Sequence, residues 1–242
     1  MTERSEIQWG LTAIPFVVHR SDRRKTVALT VDDGKLVVTA PRGVPLARLN
    51  DVVRRKAAWV VERLRRAAEL PTPPSTREFV TGETVLYRGR QLRLRVIETT
   101  DEATARMWAG WYEVPITTGL RDEVRGREVR RGLARSLKGH AEACLPEMLG
   151  AVCERLPVRA PEMRVREQRK RWGSCDAEGV LRINWRIIQA PQTLIDYVLV
   201  HELVHLEHRA HGPEFWAALA RWMPDYEARR QRLREMGPLM AW

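Results

Sequence analysis

The 242-residue sequence predicts an α+β fold, with a β-rich N-terminal region holding one long helix and a C-terminal half built on a helix that carries the pattern HExxH. Three observations support this. Apolar residues alternate before position 40 and again between 79 and 97, the period of half-buried strands. Apolar residues recur at spacings of three and four over 46–67 and 121–156, the period of amphipathic helices. Four of the six histidines fall within 201–211.

Taken in order, Val27, Leu29 and Val31 alternate with Thr26, Ala28 and Thr30, and Leu36 and Val38 follow a turn at Asp32-Asp33-Gly34. Asp-Gly supplies the positive φ of a tight turn, so a hairpin is expected. Pro41, Gly43 and Pro45 then break the chain. Leu46, Leu49, Val53, Ala57, Val60, Leu64 and Ala67 predict a single helix of about six turns, with Arg48, Arg54, Arg55, Arg63 and Arg66 on its wet face. Pro71, Pro73 and Pro74 end that helix. A second strand-rich patch runs from Phe79 to Ile97, where Leu92, Leu94 and Val96 alternate with Arg93 and Arg95. Residues 99–120 are poorly patterned, although Trp108, Trp111 and Tyr112 point to burial. From 121 a helical period takes over (Val129, Leu133, Leu137, Ala141, Leu145, Leu149, Val152, Leu156), with Pro146 inside it predicting a kink or two abutting helices. The change of period places a domain boundary between 115 and 122 and divides the chain into 1–118 and 119–242.

Composition narrows the class of protein. With 44% hydrophobic and 30% charged residues and nine Trp, the chain can bury real cores, which excludes a disordered protein. Apolar stretches such as Leu194–Val200 fall far short of the ~20 residues that a membrane span needs. The opening residues MTERSEIQWG are polar and acidic, unlike a signal or transit peptide, and three cysteines cannot all pair within the chain. A reducing cytoplasm is the expected compartment. The net charge of +11 is uneven: residues 1–120 and 121–175 each carry +6, and residues 176–242 carry −1. Arg supplies 37 of the 42 basic residues, so an anionic partner such as nucleic acid is conceivable, although solvated helix faces are the favoured account of such charge.

The chemistry is concentrated in His201-Glu202-Leu203-Val204-His205-Leu206-Glu207-His208-Arg209-Ala210-His211. Pro191 to Val200 reads as the start of a helix, with Leu194, Ile195, Val198 and Leu199 forming an apolar face. His201 and His205 are then one turn apart on one face, where two imidazoles reach one metal ion, and Glu202 beside the first is placed to act as general base on a water. The third ligand is either His208 or His211. Three successive turns span ~10 Å, which sets His208 too far along a continuing helix. His211 requires the chain to leave the helix and double back, for which Gly212-Pro213 supplies loose backbone and a stop, and it is the favoured choice. Three protein ligands leave a coordination position open, as in catalytic zinc sites, so one zinc ion per chain is expected.

HExxH followed five residues later by His also occurs in metzincin proteases, which have Gly where this chain has His208. A closer likeness covers more of the sequence. Arg171-Trp172-Gly173-Ser174-Cys175, Leu181-Arg182-Ile183-Asn184-Trp185-Arg186, Ile195-Asp196-Tyr197-Val198, the histidine cluster, Phe215-Trp216 and Met223-Pro224-Asp225-Tyr226 resemble the YgjP-like metallopeptidase family, a relative of the SprT-like zincins. The hairpin, the first helix and Val80-Thr81-Gly82-Glu83 extend the resemblance to about 24–235. It implies a zincin-like catalytic half, His201, His205 and His211 as metal ligands, and Glu202 as the catalytic residue. Val204 (Ala is common) and Gly212 (Ser is common) depart from the pattern without touching that chemistry. The family is linked both to peptidase and to nucleoside-triphosphate pyrophosphatase activity, so the expected substrate is a peptide or a nucleotide.

Other residues have two readings each. Arg169, Lys170 and Arg171 could clamp phosphate oxygens or could be solvated turn residues. Tyr197, one turn before His201, could donate to a transition-state oxyanion or simply pack. Cys175 could ligate a metal or fill a turn, and packing is favoured. Asp196 or Asp225 could orient a histidine or lie on the surface. Trp185, Phe215 and Trp216 read as core. A third class of function, a DNA-associated binding protein with a structural zinc, is disfavoured because such a site has no use for Glu202.

Overall fold

The computed structural model describes residues 2–32, 34–69, 77–168 and 170–242, which form two compact units, Met1–Thr72 and Pro73–Trp242. The prolines expected to end the first helix, and Asp33 of the expected turn, lie outside the described residues. Among the described residues no helix is long and apolar enough to cross a membrane.

In the first unit, strands β1 (Thr2–Trp9), β2 (Thr12–Arg20), β3 (Ala28–Asp32) and β4 (Lys35–Ala40) form one sheet in the order β1-β2-β4-β3. The expected hairpin is β3–β4, paired antiparallel from Ala28–Thr39 to Asp32–Lys35. Its companion β1–β2 was hidden in the sequence because Arg4, Glu6 and Gln8 keep one side wet while the other side carries the polar Glu3 and Ser5 beside Ile7. The long helix is two helices, α1 (Leu46–Arg55) and α2 (Ala57–Glu69), broken at Lys56. Its apolar stripe survives the break, since Val53, Ala57 and Val60 are all buried with Phe16, Leu36 and Val38.

The second unit begins with β5 (Thr84–Tyr87), β6 (Arg90–Thr99), β7 (Arg106–Trp108) and β8 (Trp111–Thr117), a sheet in the order β5-β6-β8-β7. It packs on α3 (Asp122–Cys153), where a side chain on Gly132 would reach to 2.8 Å from Val114 and the Tyr112 hydroxyl meets Ser136 Oγ at 2.9 Å. That packing is why the division falls at Thr72/Pro73 and not at 118/119: the poorly patterned stretch is the inner face of a sheet that shares its core with α3. Pro146 neither ends nor splits α3. Leu145, Met148 and Leu149 on its buried face hold the helix through the one missing amide.

Beyond α3 come β9 (Met163–Arg166), β10 (Gly173–Cys175) and β11 (Leu181–Asn184), ordered β10-β11-β9, so that β10 is an edge. A 3-10 turn at Trp185–Gln189 leads into α4 (Gln192–Val204), and α5 (Pro213–Trp222) and α6 (Tyr226–Met240) complete the unit. The β5–β6 turn holds the start of α4, because Arg88 and Gly89 N–H groups donate to Ile188 and Gln189 carbonyls at 2.8 and 3.0 Å. Gly89 has φ +76°, and a side chain there would meet Pro191 Cγ at 2.9 Å and its Cα at 3.0 Å. Gly89→Ala is therefore expected to cost about 1–3 kcal/mol, seen as a lower urea midpoint with an unchanged slope.

Candidate active site

Helix α4 is apolar around nearly its whole circumference, with Leu194, Val198, Leu199, Leu203 and Val204 all buried, so its position in the core is fixed. It stops at Val204, one residue before His205. The turn is closed by Leu206 N–H to Leu203 O at 3.0 Å and His208 N–H to Val204 O at 2.9 Å. The chain then reverses, and Pro213, at the first turn of α5, brings His211 back over the end of α4. One ring nitrogen from each of His201, His205 and His211 lies within 4.8 Å of the others, and His201 Nε2 and His211 Nε2 are 3.0 Å apart. His208 stays outside, its ring 3.9 Å from the Glu214 carboxylate.

The cluster is braced from several sides. Phe215, fully buried, lies 4.9, 4.5 and 4.6 Å from the His201, His205 and His211 ring centres. His205 Nδ1 is 2.9 Å from the His208 carbonyl. A carbonyl only accepts, so Nδ1 carries the proton and Nε2 is left with the lone pair. Trp216, half-buried and not simply core, donates its indole N–H to His211 O at 3.1 Å and sets its ring 5.6 Å from the His211 ring. Trp216→Phe keeps a ring but loses the donor. It is expected to weaken metal affinity about tenfold to a hundredfold in a chelator competition, the usual cost of a lost ligand-orienting bond.

Electrostatics suit the same purpose. Burial, then the neighbouring His205 and His211, push the His201 imidazole down to about 3, and burial lowers His211 as well, so both are neutral at physiological pH. Glu202 is buried beside them. Burial pushes its carboxyl up to about 8, against the opposing field of Arg171, and its Oε2 has no hydrogen-bond partner among the described residues. The carboxylate lies against Gly173 of β10, where a Cβ would come within 2.5 Å of Glu202 Oε1 and 2.7 Å of Cγ. Three imidazoles converging beside a buried carboxylate whose Oε2 is unpartnered fit a divalent cation, and nothing in the donor set opposes it.

A cleft of about 480 Å³ opens over the cluster. Tyr197, nearly buried, forms part of its wall with its ring 5.8 Å from that of His201, and burial pushes its phenol up, so the hydroxyl keeps its proton. Arg171 and Cys175 also line it, while Arg169 lies outside the described residues. Among the described residues, neither Asp196 nor Asp225 hydrogen-bonds to a histidine. Asp196 accepts from Gln192 at 2.8 Å and Asp225 from Arg229 at 2.8 Å. Asn184 was not singled out from the sequence, yet it donates to Gln168 O at 2.7 Å and Arg171 O at 3.1 Å, anchoring the loop that enters β10. Arg230 and Arg234 of α6 reach the cleft too. Their four-residue spacing shows a shared helix face but not which face meets the site.

Such a cleft belongs to a metal-dependent hydrolase. A family model described as the YgjP-like metallopeptidase domain matches residues 25–236, and the chain belongs to that family. Among solved structures, it is similar to the metallopeptidase zymogen jannalysin of Methanocaldococcus jannaschii (14% identity over 37% of this chain and 92% of that one, TM-score 0.32). It is also similar to the zymogen abylysin of Pyrococcus abyssi (21% identity, 43% and 93%, TM-score 0.31). Comparison with curated proteins gives no match.

Proposed function

We propose that the chain is a zinc-dependent peptidase with a zincin-like catalytic half, holding one zinc ion per chain on His201, His205 and His211 and using Glu202 as general base. The observation that carries this reading is the Glu202 carboxylate, buried and unpartnered beside the three imidazoles and with its proton affinity raised to about 8, near a working pH. A divalent ion at the cluster supplies Lewis acidity, polarising the scissile carbonyl and acidifying a nearby water. Glu202 accepts the proton from that water as it attacks and returns it to the leaving amine. The protonated Tyr197 hydroxyl donates toward the oxygen on which negative charge develops.

The edge strand favours a peptide. In the register with β11, Trp172 and Ser174 turn their backbone groups inward, so those of Gly173 and Cys175 point away from the sheet along the cleft. An extended peptide can pair there as an added strand, its carbonyl carried past Glu202. The arginines of the cleft favour a second reading, nucleoside-triphosphate pyrophosphatase on the same site. An unfolded protein, short peptides and nucleoside triphosphates, each incubated with the zinc-loaded chain and with Glu202→Gln, separate the two. Glu202-dependent peptide cleavage is expected. Pyrophosphate release without cleavage would move the function to the second reading, and neither activity would remove the enzyme reading.

A further inference from the structure

The cleft is positively charged in a way that metal binding does not call for. Arg171, Arg209, Arg230 and Arg234 line it, and Glu202 is the sole acid among its lining residues. A site shaped for cation affinity alone would place carboxylates there, because like charge in a partly dry cleft opposes a divalent ion.

The arginines differ in what engages them. Arg209 is committed to the backbone, bonding the Asp176 carbonyl and, at 3.0 Å, that of Ala177. Neither Arg171 nor Arg230 forms an ion pair at contact distance with a carboxylate among the described residues, although the field of Arg171 reaches Glu202 and other acids are near in sequence. Those acids are occupied elsewhere: Asp225 with Arg229 at 2.8 Å, Asp176 with Arg182 at 2.6 Å, Glu227 with the Tyr226 hydroxyl at 3.2 Å and Glu235 with Gln231 at 2.9 Å. Arg230 is nonetheless held in place. Its guanidinium sits 4.6 Å from the centre of the Trp216 ring, the ring that also braces His211. A planar fork stacked on an aromatic face has lost much of its freedom before any ligand arrives, and two parallel N–H groups match the two oxygens of a carboxylate.

We propose that Arg230, stacked on Trp216, and Arg171 form a carboxylate subsite beside the metal cluster that selects peptides with an anionic group close to the scissile bond. The proposal rests on the peptidase reading above. The carboxylate has two sources, an acidic side chain or the free C-terminus of a short peptide, and both present the same pair of oxygens.

Binding tests the subsite apart from catalysis. Labelled peptides are titrated against zinc-loaded Glu202→Gln and followed by fluorescence anisotropy, in pairs with Glu against Gln at each position and with a C-terminal acid against its amide. At least one acidic member is expected to bind about tenfold to a hundredfold more tightly than its neutral twin, the worth of a charged hydrogen-bonded contact. The pair that discriminates identifies the source. Adding Arg230→Gln should bring the ratio close to one, Arg171→Gln should reduce it, and Arg230→Lys should retain part of it, which separates lost charge from lost folding. Equal affinity in every pair, or a preference that survives both glutamine substitutions, overturns the proposal. The same peptides given to the wild-type chain keep the readings distinct. Preference without Glu202-dependent cleavage preserves the subsite and removes the peptidase, and cleavage without preference does the reverse.

Discussion

Glu202→Gln is expected to abolish hydrolysis and, in the metal-free chain, to raise stability. The loss follows from the general-base role, which is worth about two to four orders of magnitude in rate. The gain follows from burial. The Glu202 carboxyl ordinarily titrates at 4.5 and is pushed up to about 8 in the fold, so the folded chain binds its proton more tightly than the unfolded chain does. Such a group costs nothing below its unfolded value, and stability is then lost as pH rises from about 4.5 until the folded group ionises near 8. At neutral pH the cost is about 2–4 kcal/mol, which a neutral Gln of the same shape avoids. His201 acts with the opposite sign: its fall from 6.5 to about 3 removes stability as pH drops through that interval, equally in both proteins. Urea unfolding of the two metal-free proteins from pH 4.5 to 8 should therefore show a difference that opens with pH. A constant difference, or a less stable variant, would contradict the burial of an unpartnered carboxylate.

Gly173→Ala is the second change with a large expected effect. The added methyl would lie 2.5 Å from Glu202 Oε1, 2.7 Å from Cγ and 2.8 Å from Cδ. A flexible surface side chain would swing aside, but Glu202 is only 5% exposed. Either the carboxylate or β10 has to move. A displacement of about 1 Å at a catalytic group costs on the order of a hundredfold in rate. Overpacking adds about 1–3 kcal/mol of destabilisation. Because the three heavy atoms nearest the added methyl all belong to Glu202, metal content should stay near the wild-type level while kcat falls. Loss of metal together with activity would show that β10 shapes the cluster as well as Glu202.

The histidine cluster was legible because its logic is local. Helical period sets His201 and His205 one turn apart, and Gly212-Pro213 announces the reversal that returns His211. What surrounds the cluster depends on packing that no local pattern reports. The contact of Gly173 with Glu202 needs the register of β10 on β11 and the seating of α4 below them. Arg230 enters the cleft because of how α6 is turned, and Arg182 and Arg186, just as prominent in sequence, pair with Asp176 and Glu167 instead. The division into compact units at Thr72/Pro73 was hidden for a related reason. A change of period looks like a border, yet the sheet of β5–β8 and helix α3 bury their apolar faces in one core. The break at Lys56 is equally silent, since the apolar stripe of α1 runs on into α2 without losing step.

The direct test of a metal held by three histidines is elemental analysis of the chain after zinc loading and exhaustive dialysis, with His205→Ala and His208→Ala alongside. About one zinc per chain is expected for the wild type and for His208→Ala, and close to none for His205→Ala, with all three folded by circular dichroism. A wild-type chain that retains no metal, or a His205→Ala chain that keeps it, would contradict the metal-dependent reading on which the assignment of Glu202 and the cleft depends.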